Sequence, residues 1–279
     1  MTFPIFSLAK SLCSVFLVAM ALVLQYGAPA HAAGTSSVYI EDLTWQEMRD
    51  RLRGGTTIAI IPTGGTEQNG PHMIIGKHNL IVRYTAGEIA RKLGNAVVAP
   101  VIAYVPEGRI SPPEGHMQFP GTISLTQYTF EALLEDAARS LKQHGFKLIC
   151  FIGDNGGNQD GQRNVAARLT QEWYSDGVRV LHVGNYYSKN GQDPWVESMG
   201  IRIQNPGAHA GFIDTSELMA IHALGVHDEL RGVRGDSDYR TTGAMGDSTQ
   251  ASANYGRKLL NLKIEAALEQ IQSVSGTIR

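Results

Sequence analysis

The sequence predicts an α/β fold, a three-layer α/β/α sandwich built around a mostly parallel sheet. Short apolar runs rich in β-branched residues alternate along the chain with longer segments whose apolar residues recur at helical spacing. Several of these runs end in polar, glycine-rich segments, as a buried strand does where it meets a loop. Strands joined through helices of this length form right-handed crossovers, which place parallel strands side by side with helices on both faces.

The predicted elements follow one another in a regular order. The strands are residues 57–61, 96–101, 147–152 and 178–183. The helices are residues 78–93, 126–144, 162–174, 216–224 and 252–273. Ligands of such sheets bind beyond the carboxyl ends of the strands, so we expect the segments after Ile61 and Ile152 to line a common pocket.

The amino terminus carries a targeting signal. Lys10 precedes an apolar run over residues 12–24, and residues 30–32 form a small-x-small cleavage pattern. We interpret residues 1–32 as a secretory signal peptide and residues 33–279 as one mature domain, exported to the periplasm or secreted. The alternative is an uncleaved anchor, but a spanning helix needs roughly 20 apolar residues.

The overall charge excludes some partners. The formal net charge of the chain is −2, and no basic stripe marks a nucleic-acid-binding surface. We therefore expect no nucleic acid and no membrane bound after the signal is cleaved. Export points to a small-molecule substrate outside the cytoplasm.

Four polar segments hold the candidate chemistry: residues 64–78, 111–125, 153–158 and 209–216. A single loop histidine is more often satisfied by its neighbours than used as a ligand. Here, however, four acidic or histidine residues fall in post-strand loops that should converge: Glu67, His72, His78 and Asp154. Carboxylate with imidazole is the mixture that binds zinc or manganese, so their concentration indicates a metal site.

In order and content these segments resemble the creatininase (creatinine amidohydrolase) family. Residues 64–78 resemble its Glu-x-His-Gly-x-His block, and residues 119–125, 156–158, 209–216 and 246–256 resemble its later blocks. The resemblance implies that residues 33–279 form one creatininase-like α/β/α domain. It also implies a homo-oligomer, often a hexamer, and hydrolysis of C–N bonds with one or two divalent metals.

The expected metal positions are substantially changed. The family places a Glu, a His, a bridging Asp, a second His and a further Glu around its metal pair, and Glu67 keeps the first of these. The other four positions hold Asn69, His78, Asn155 and Gly157. Because asparagine is a poor zinc ligand, we do not expect the usual dinuclear pair.

The new residues suggest a rearranged site. We predict that Glu67, His78 and Asp154 hold one divalent metal, zinc with manganese or iron as alternatives, with water in an open position. The resemblance places His209 and Asp214, a shortened Glu, in the fourth block, where either one would transfer protons.

Further residues of these segments are predicted to contact the substrate. His116 either does so as a catalytic residue or only packs against Phe119. The predicted substrate-binding residues are His72, Asn69, Asn155 and Asn158. Another set supplies either an aromatic wall or an oligomer contact: Tyr186, Tyr187 and Trp195.

Three functions follow from these observations. The first is a metal-dependent hydrolase of a non-peptide C–N bond in an amide, lactam or cyclic amide. The second is a non-catalytic small-molecule-binding protein, which the amides of Asn69 and Asn155 support. The third is a metal-free hydrolase with Glu67 or Asp214 as base beside His209. The gain of new ligands favours the first, because a decaying site drifts more often to small or apolar residues.

Overall fold

A parallel sheet of four strands lies at the centre of the described chain. The computed structural model describes residues 37–200, 202–203 and 206–276, so the predicted signal peptide lies outside the described residues. The strands are β1 (Ile58–Thr63), β2 (Ala96–Val98), β3 (Leu148–Gly153) and β4 (Arg179–His182), in the order β2-β1-β3-β4. All three neighbouring pairs are parallel, as the sequence predicted.

Nine α-helices are described. They are α1 (Trp45–Arg53), α2 (Lys77–Leu93), α3 (Gln127–Gln143), α4 (Gln159–Glu172), α5 (Gly184–Tyr187), α6 (Gln192–Ser198), α7 (Phe212–His222), α8 (Tyr239–Thr242) and α9 (Ala253–Ser275). The sequence predicted five of them and missed α1, α5, α6 and α8. Helix α1 begins with a capping box between Thr44 and Glu47. Among the described helices, none combines the length and apolarity needed to span a bilayer.

The helices cover both faces of the sheet. Alternate residues of β1 point to opposite sides, so Ile58 and Ile60 pack with α2 and α9, while Ala59 and Ile61 pack with α3 and α4. Both apolar layers are buried, which confirms the α/β/α sandwich. Strands covered on two faces read as continuous apolar runs, and this pattern made them recognisable in the sequence.

The carboxyl ends of β1 and β3 lie side by side. Thr63 pairs with Gly153, and the Asp154 N–H donates to the Thr63 carbonyl at 3.1 Å. The loop after β1 must pass close to α2, because a Cβ on Gly64 would lie 2.1 Å from Asn79 Oδ1. This junction brings the polar segments after the two strands together, as expected from the parallel topology.

Candidate active site

A cavity of about 630 Å³ opens at this edge of the sheet. Seven of the ten residues predicted for the site line it: Glu67, His78, His116, Asp154, Asn155, His209 and Asp214. Tyr187 lines it as well. Residues far apart in the sequence thus converge on one polar pocket, which has the size of a small-molecule site.

Three predicted substrate-binding residues are turned inward instead. Among the described residues that line the cavity, Asn69, His72 and Asn158 do not appear. The Asn69 amide donates to the carbonyls of its own loop, Asn158 Nδ2 donates to Thr63 Oγ1 at 2.7 Å, and His72 Nε2 lies 3.0 Å from Thr215 Oγ1. All three are buried. They hold loops in place, and their contact with a substrate stays a prediction.

His78 lies between two carboxylates. Its Nε2 is 2.8 Å from Glu67 Oε1, and its Nδ1 is 2.8 Å from Asp154 Oδ2. Burial alone would lower the pKa of His78, but the hydrogen bonds to both carboxylates raise it above its ordinary value. Both ring nitrogens thus lie within hydrogen-bonding distance of a carboxylate, an arrangement that favours the protonated imidazole. A metal ligand needs a free lone pair, so this arrangement conflicts with the predicted ligand set of Glu67, His78 and Asp154.

A buried lysine completes the surroundings of Asp154. Asp154 Oδ1 accepts from Tyr186 Oη at 2.7 Å and from Lys263 Nζ at 2.9 Å, and Lys263 also reaches Glu217 Oε2 at 2.9 Å. Although burial opposes ionisation, Lys263 and His78 hold the pKa of Asp154 well below its usual range. Tyr186 is fully buried, so it is neither an exposed wall nor an oligomer contact in this chain.

The two other aromatic residues lie apart from this network. Tyr187 lines the cavity, as the aromatic-wall alternative requires. The Trp195 ring meets Tyr255 edge-on at 6.1 Å between centroids and packs against the apolar cluster around Phe212.

Asp214 is paired with a second buried lysine. Lys77 Nζ lies 2.6 Å from Asp214 Oδ2, and the Ala210 N–H donates to the same oxygen at 3.0 Å. Burial would raise the pKa of Asp214, but the charge of Lys77 holds it below the ordinary value. A carboxylate stabilised in this way is a weak base, which counts against Asp214 as the proton acceptor.

Glu67, His116 and His209 form a second cluster at the cavity. His116 Nε2 lies 3.2 Å from Glu67 Oε2, and His209 Nδ1 lies 3.6 Å from Glu67 Oε1. The two imidazole rings are 4.6 Å apart between centroids, so His116 faces the pocket rather than only packing against Phe119. One ligand atom from each of the three residues fits within 4.8 Å of the others, close enough to hold a metal ion.

This cluster suits a metal by three further tests. Glu67 Oε2 is buried, and within the described chain it has no hydrogen-bond partner. The ligand atoms of a tetrahedral zinc site, each about 2.0–2.1 Å from the metal, lie about 3.3 Å apart. Each histidine here has one nitrogen at a comparable distance from one of the two Glu67 oxygens, 3.2 Å for His116 to Oε2 and 3.6 Å for His209 to Oε1. Burial lowers the pKa of His116 and lowers that of His209 to about 4, so both imidazoles are neutral near pH 7.

Sequence reasoning missed Glu107, which also lines the cavity. Asn155 Nδ2 donates to both carboxyl oxygens of Glu107 at 3.0 Å, and these hydrogen bonds hold the Glu107 side chain in place. Burial and the neighbouring charge of Glu67 raise the pKa of Glu107 to about 10. A protonated carboxyl beside the cavity can supply a proton to a leaving nitrogen. Glu107 lies in an irregular segment without periodicity, so no sequence pattern marks it.

The arrangement agrees with a comparison against known protein families. A family model named Creatininase and described as creatinine amidohydrolase matches residues 41–271. The chain belongs to the creatininase family. This is a family of hydrolases, and the match spans the sheet, its covering helices and all the cavity-lining residues discussed above.

The curated relatives of this chain have names that give different substrates. The chain is 26% identical over 245 residues to the mycofactocin precursor peptide peptidase of Mycolicibacterium smegmatis, covering 80% of this chain and 87% of that protein. It is 30% identical over 118 residues to the creatinine amidohydrolase of Pseudomonas putida, covering 42% of this chain and 45% of that protein.

Solved creatininases share the fold. A manganese creatininase superposes with a TM-score of 0.69 at 22% identity, covering 85% of this chain and 98% of that one. A zinc–zinc form of a creatininase mutant gives a TM-score of 0.68 at 22% identity, covering 86% and 98%. These creatininases are named as manganese and zinc forms. Among the described residues, Glu67, His116 and His209 form a group that could hold a metal ion.

Proposed function

We propose that this creatininase-family chain is a metal-dependent hydrolase of a C–N bond, with one divalent metal held by Glu67, His116 and His209. The observation that carries the proposal is the buried Glu67 carboxylate: its Oε2 has no hydrogen-bond partner among the described residues and lies 3.2 Å from His116 Nε2, while His209 Nδ1 lies 3.6 Å from its Oε1. A divalent cation supplies Lewis acidity toward a carbonyl oxygen and toward water. Zinc suits this donor set, and manganese and iron are the alternatives.

The surrounding residues orient Glu67. The His78 N–H donates to Oε1, which leaves Oε2 directed at His116. Burial opposes the charge of Glu67, but His78 holds its pKa well below the usual range, so the carboxylate stays ionised. Asp154 and Lys263 fix His78 from behind. Two of the three predicted ligands, His78 and Asp154, thus support Glu67 in place of binding the metal themselves.

We infer that the substrate is a small polar amide, lactam or cyclic amide. The cavity has the volume of a small-molecule site, and polar side chains dominate its lining. One relative is named as a peptidase of a precursor peptide, so a peptide bond is the competing substrate. A panel that contains lactams, cyclic amides, linear amides and short peptides separates the two classes.

The activity test compares two histidine variants. The metal-loaded wild type should hydrolyse at least one member of the panel, and His209→Ala should lose this activity while staying folded. His144→Ala is the matched control, because His144 is exposed at the end of α3. Equal loss in both variants, or full activity in His209→Ala, would refute the proposal.

A second candidate function is a small-molecule-binding protein without catalysis. Two buried lysines favour this function. Lys77 forms an ion pair with Asp214, and Lys263 forms ion pairs with Asp154 and Glu217. The negative charges of these carboxylates are therefore neutralised without a metal. A ligand that raises the melting temperature equally with and without divalent metal, and is never turned over, would support this function.

Export and assembly are proposals from the sequence and the resemblance. We propose that residues 1–32 are removed on export to the periplasm or the medium, which amino-terminal sequencing of the secreted chain tests. We also propose a homo-oligomer, a hexamer by resemblance to the family, which light scattering of the purified protein tests.

A further inference from the structure

The segment between helices α5 and α6 forms part of the cavity rim. Residues 187–190 line the cavity, and helix α6 follows them. Asn190 Nδ2 donates to the Tyr186 carbonyl at 3.0 Å, and the Gln192 N–H donates to Asn190 Oδ1 at 3.0 Å. Gln192 is buried, and its amide donates to Glu217 Oε1 at 2.6 Å. These hydrogen bonds anchor the segment to the core, so its side chains stand at a defined place on the cavity wall.

Lys189 adopts an unusual backbone conformation within this segment. Its φ is 59°, in the left-handed region that only Ala210 shares among the described non-glycine residues. A Cβ disfavours this region, so glycine is the residue that usually occupies it. Here the position carries a long cationic side chain that lines the cavity. A strained residue at a pocket indicates a function for its side chain.

The buried carboxylates deeper in the cavity wall have cationic partners. Asp154 and Glu217 share the ammonium of Lys263, and Asp214 is paired with Lys77. Each of these contacts joins two side chains of the protein. The charges of these residues are therefore compensated within the protein and leave little to attract a charged ligand.

Two charged groups at the rim differ from these. Lys189 and Asp193 are exposed residues of the cavity lining, and within the described chain neither side chain has an ion pair or a hydrogen bond. A Cβ on Gly207, which also lines the cavity, would lie 3.4 Å from Asp193 Oδ1, so the carboxylate is close to the cavity wall. An acidic residue in the first turn of a helix is common, so Asp193 alone indicates no ligand. Together with the unpaired lysine, it gives the rim one positive and one negative group.

We propose that Lys189 and Asp193 bind the carboxylate and the ammonium of a zwitterionic substrate, an amino acid derivative with its scissile amide in the side chain or ring. A molecule with both charges matches both groups, whereas a simple anion would meet Asp193 and a simple cation would meet Lys189. The inference rests on the hydrolase proposed above and names the class of its substrate. It also favours a small molecule over a bond in the interior of a peptide, where no charged terminus is near.

Three probes that differ by one charged group test this assignment. L-Glutamine carries both charges and a side-chain amide, glutaramate lacks the ammonium, and 4-aminobutanamide lacks the carboxylate. NMR titration of the mature protein as purified gives their dissociation constants, and kcat/KM replaces these constants for probes that are hydrolysed. The wild type should prefer glutamine to either of the others by about three- to fivefold, the contribution of an exposed ion pair. High salt should weaken both preferences because it screens exposed charges.

Matched variants separate the two charges. Lys189→Gln should lose the preference for glutamine over 4-aminobutanamide and keep the preference over glutaramate. Asp193→Asn should show the opposite pattern. Lys147→Gln, an exposed lysine before the first residue of β3 and so at the other end of that strand, should change neither preference. A change in packing alone would weaken the binding of all three probes alike.

The outcomes distinguish this inference from the proposed hydrolase function. Equal binding of the three probes by the wild type, or binding of none of them, would overturn the inference. An unchanged pattern of preferences in Lys189→Gln would do so too. If the expected preferences appear but no amide is hydrolysed, the hydrolase proposal fails and the assignment of Lys189 and Asp193 stands. Hydrolysis of amides without any preference for glutamine would have the opposite meaning.

Discussion

Lys263 Nζ lies 2.9 Å from Asp154 Oδ1, so a lysine from the last helix neutralises the first carboxylate after strand β3. The same ammonium reaches Glu217, and Lys77 neutralises Asp214 on the other side of the pocket. His78 lies between Glu67 and Asp154, which favour its protonated form. The chain thus carries lysine charges beside the acidic groups of the pocket.

Loss of the Lys263 charge should destabilise the fold strongly. Lys263→Ala leaves Asp154 and Glu217 buried without their counter-ion, and breaking a buried pair in this way costs about 3–5 kcal/mol. Urea unfolding should show this loss. Lys258→Ala, an exposed lysine on the same helix, should change stability by less than about 0.5 kcal/mol. An equal loss of unfolding free energy in Lys263→Ala and Lys258→Ala would show that the buried ion pairs of Lys263 do not stabilise the fold.

His72 should make the protein less stable in acid. Burial lowers its pKa from 6.5 to about 4, so between these values the unfolded chain binds a proton that the folded chain does not. Stability is therefore full above pH 6.5 and falls as the pH drops toward 4, by at most about 3 kcal/mol from this residue.

The matched variant for that effect is His72→Asn, which keeps a polar partner for Thr215. Its unfolding free energy, measured from pH 7 to pH 4, should fall less steeply than that of the wild type. Parallel curves for the two proteins would contradict the assignment of this acid sensitivity to His72.

The contact between helices α7 and α9 should be intolerant of any side chain at Gly256. A Cβ there would lie 1.8 Å from the Ser216 carbonyl oxygen, and backbone cannot move aside cheaply. Gly256→Ala should therefore cost about 1–3 kcal/mol in thermal or urea unfolding. Gly276→Ala, at the end of α9 with its nearest neighbour 3.6 Å away, should be nearly neutral. An unchanged Gly256→Ala protein would mean that the helices separate easily.

Strand ends made the location of the pocket predictable. Glu67, His78 and Asp154 follow or flank β1 and β3, and parallel pairing brings such segments together whatever their side chains. Side-chain direction was not predictable in the same way. Asn69 and His72 belong to the same loop as Glu67, yet they turn inward because the loop's own carbonyls and Thr215 need partners. Sequence spacing in an irregular loop carries no periodicity that fixes a face.

The lysines escaped sequence reasoning for a different reason. Helix α9 was predicted correctly, but Lys263 stands 109 residues from its partner Asp154. A charged residue on a helix is usually solvated, and its pairing across the fold depends on how α9 packs on the sheet. The roles that we propose for His78 and His116 differ from the predicted ones for the same reason: each imidazole contacts residues on other segments.

Metal content in three proteins tests the central claim most directly. Mature wild type, purified without nickel affinity or chelators, should contain about one zinc, manganese or iron per chain. His209→Ala should contain almost none, and His78→Ala should keep its metal, because Glu67, His116 and His209 remain. If His78→Ala loses its metal while His209→Ala keeps it, the ligands are instead Glu67, His78 and Asp154, as the sequence predicted. No metal in the wild type, even after divalent ions are added back, would contradict the account.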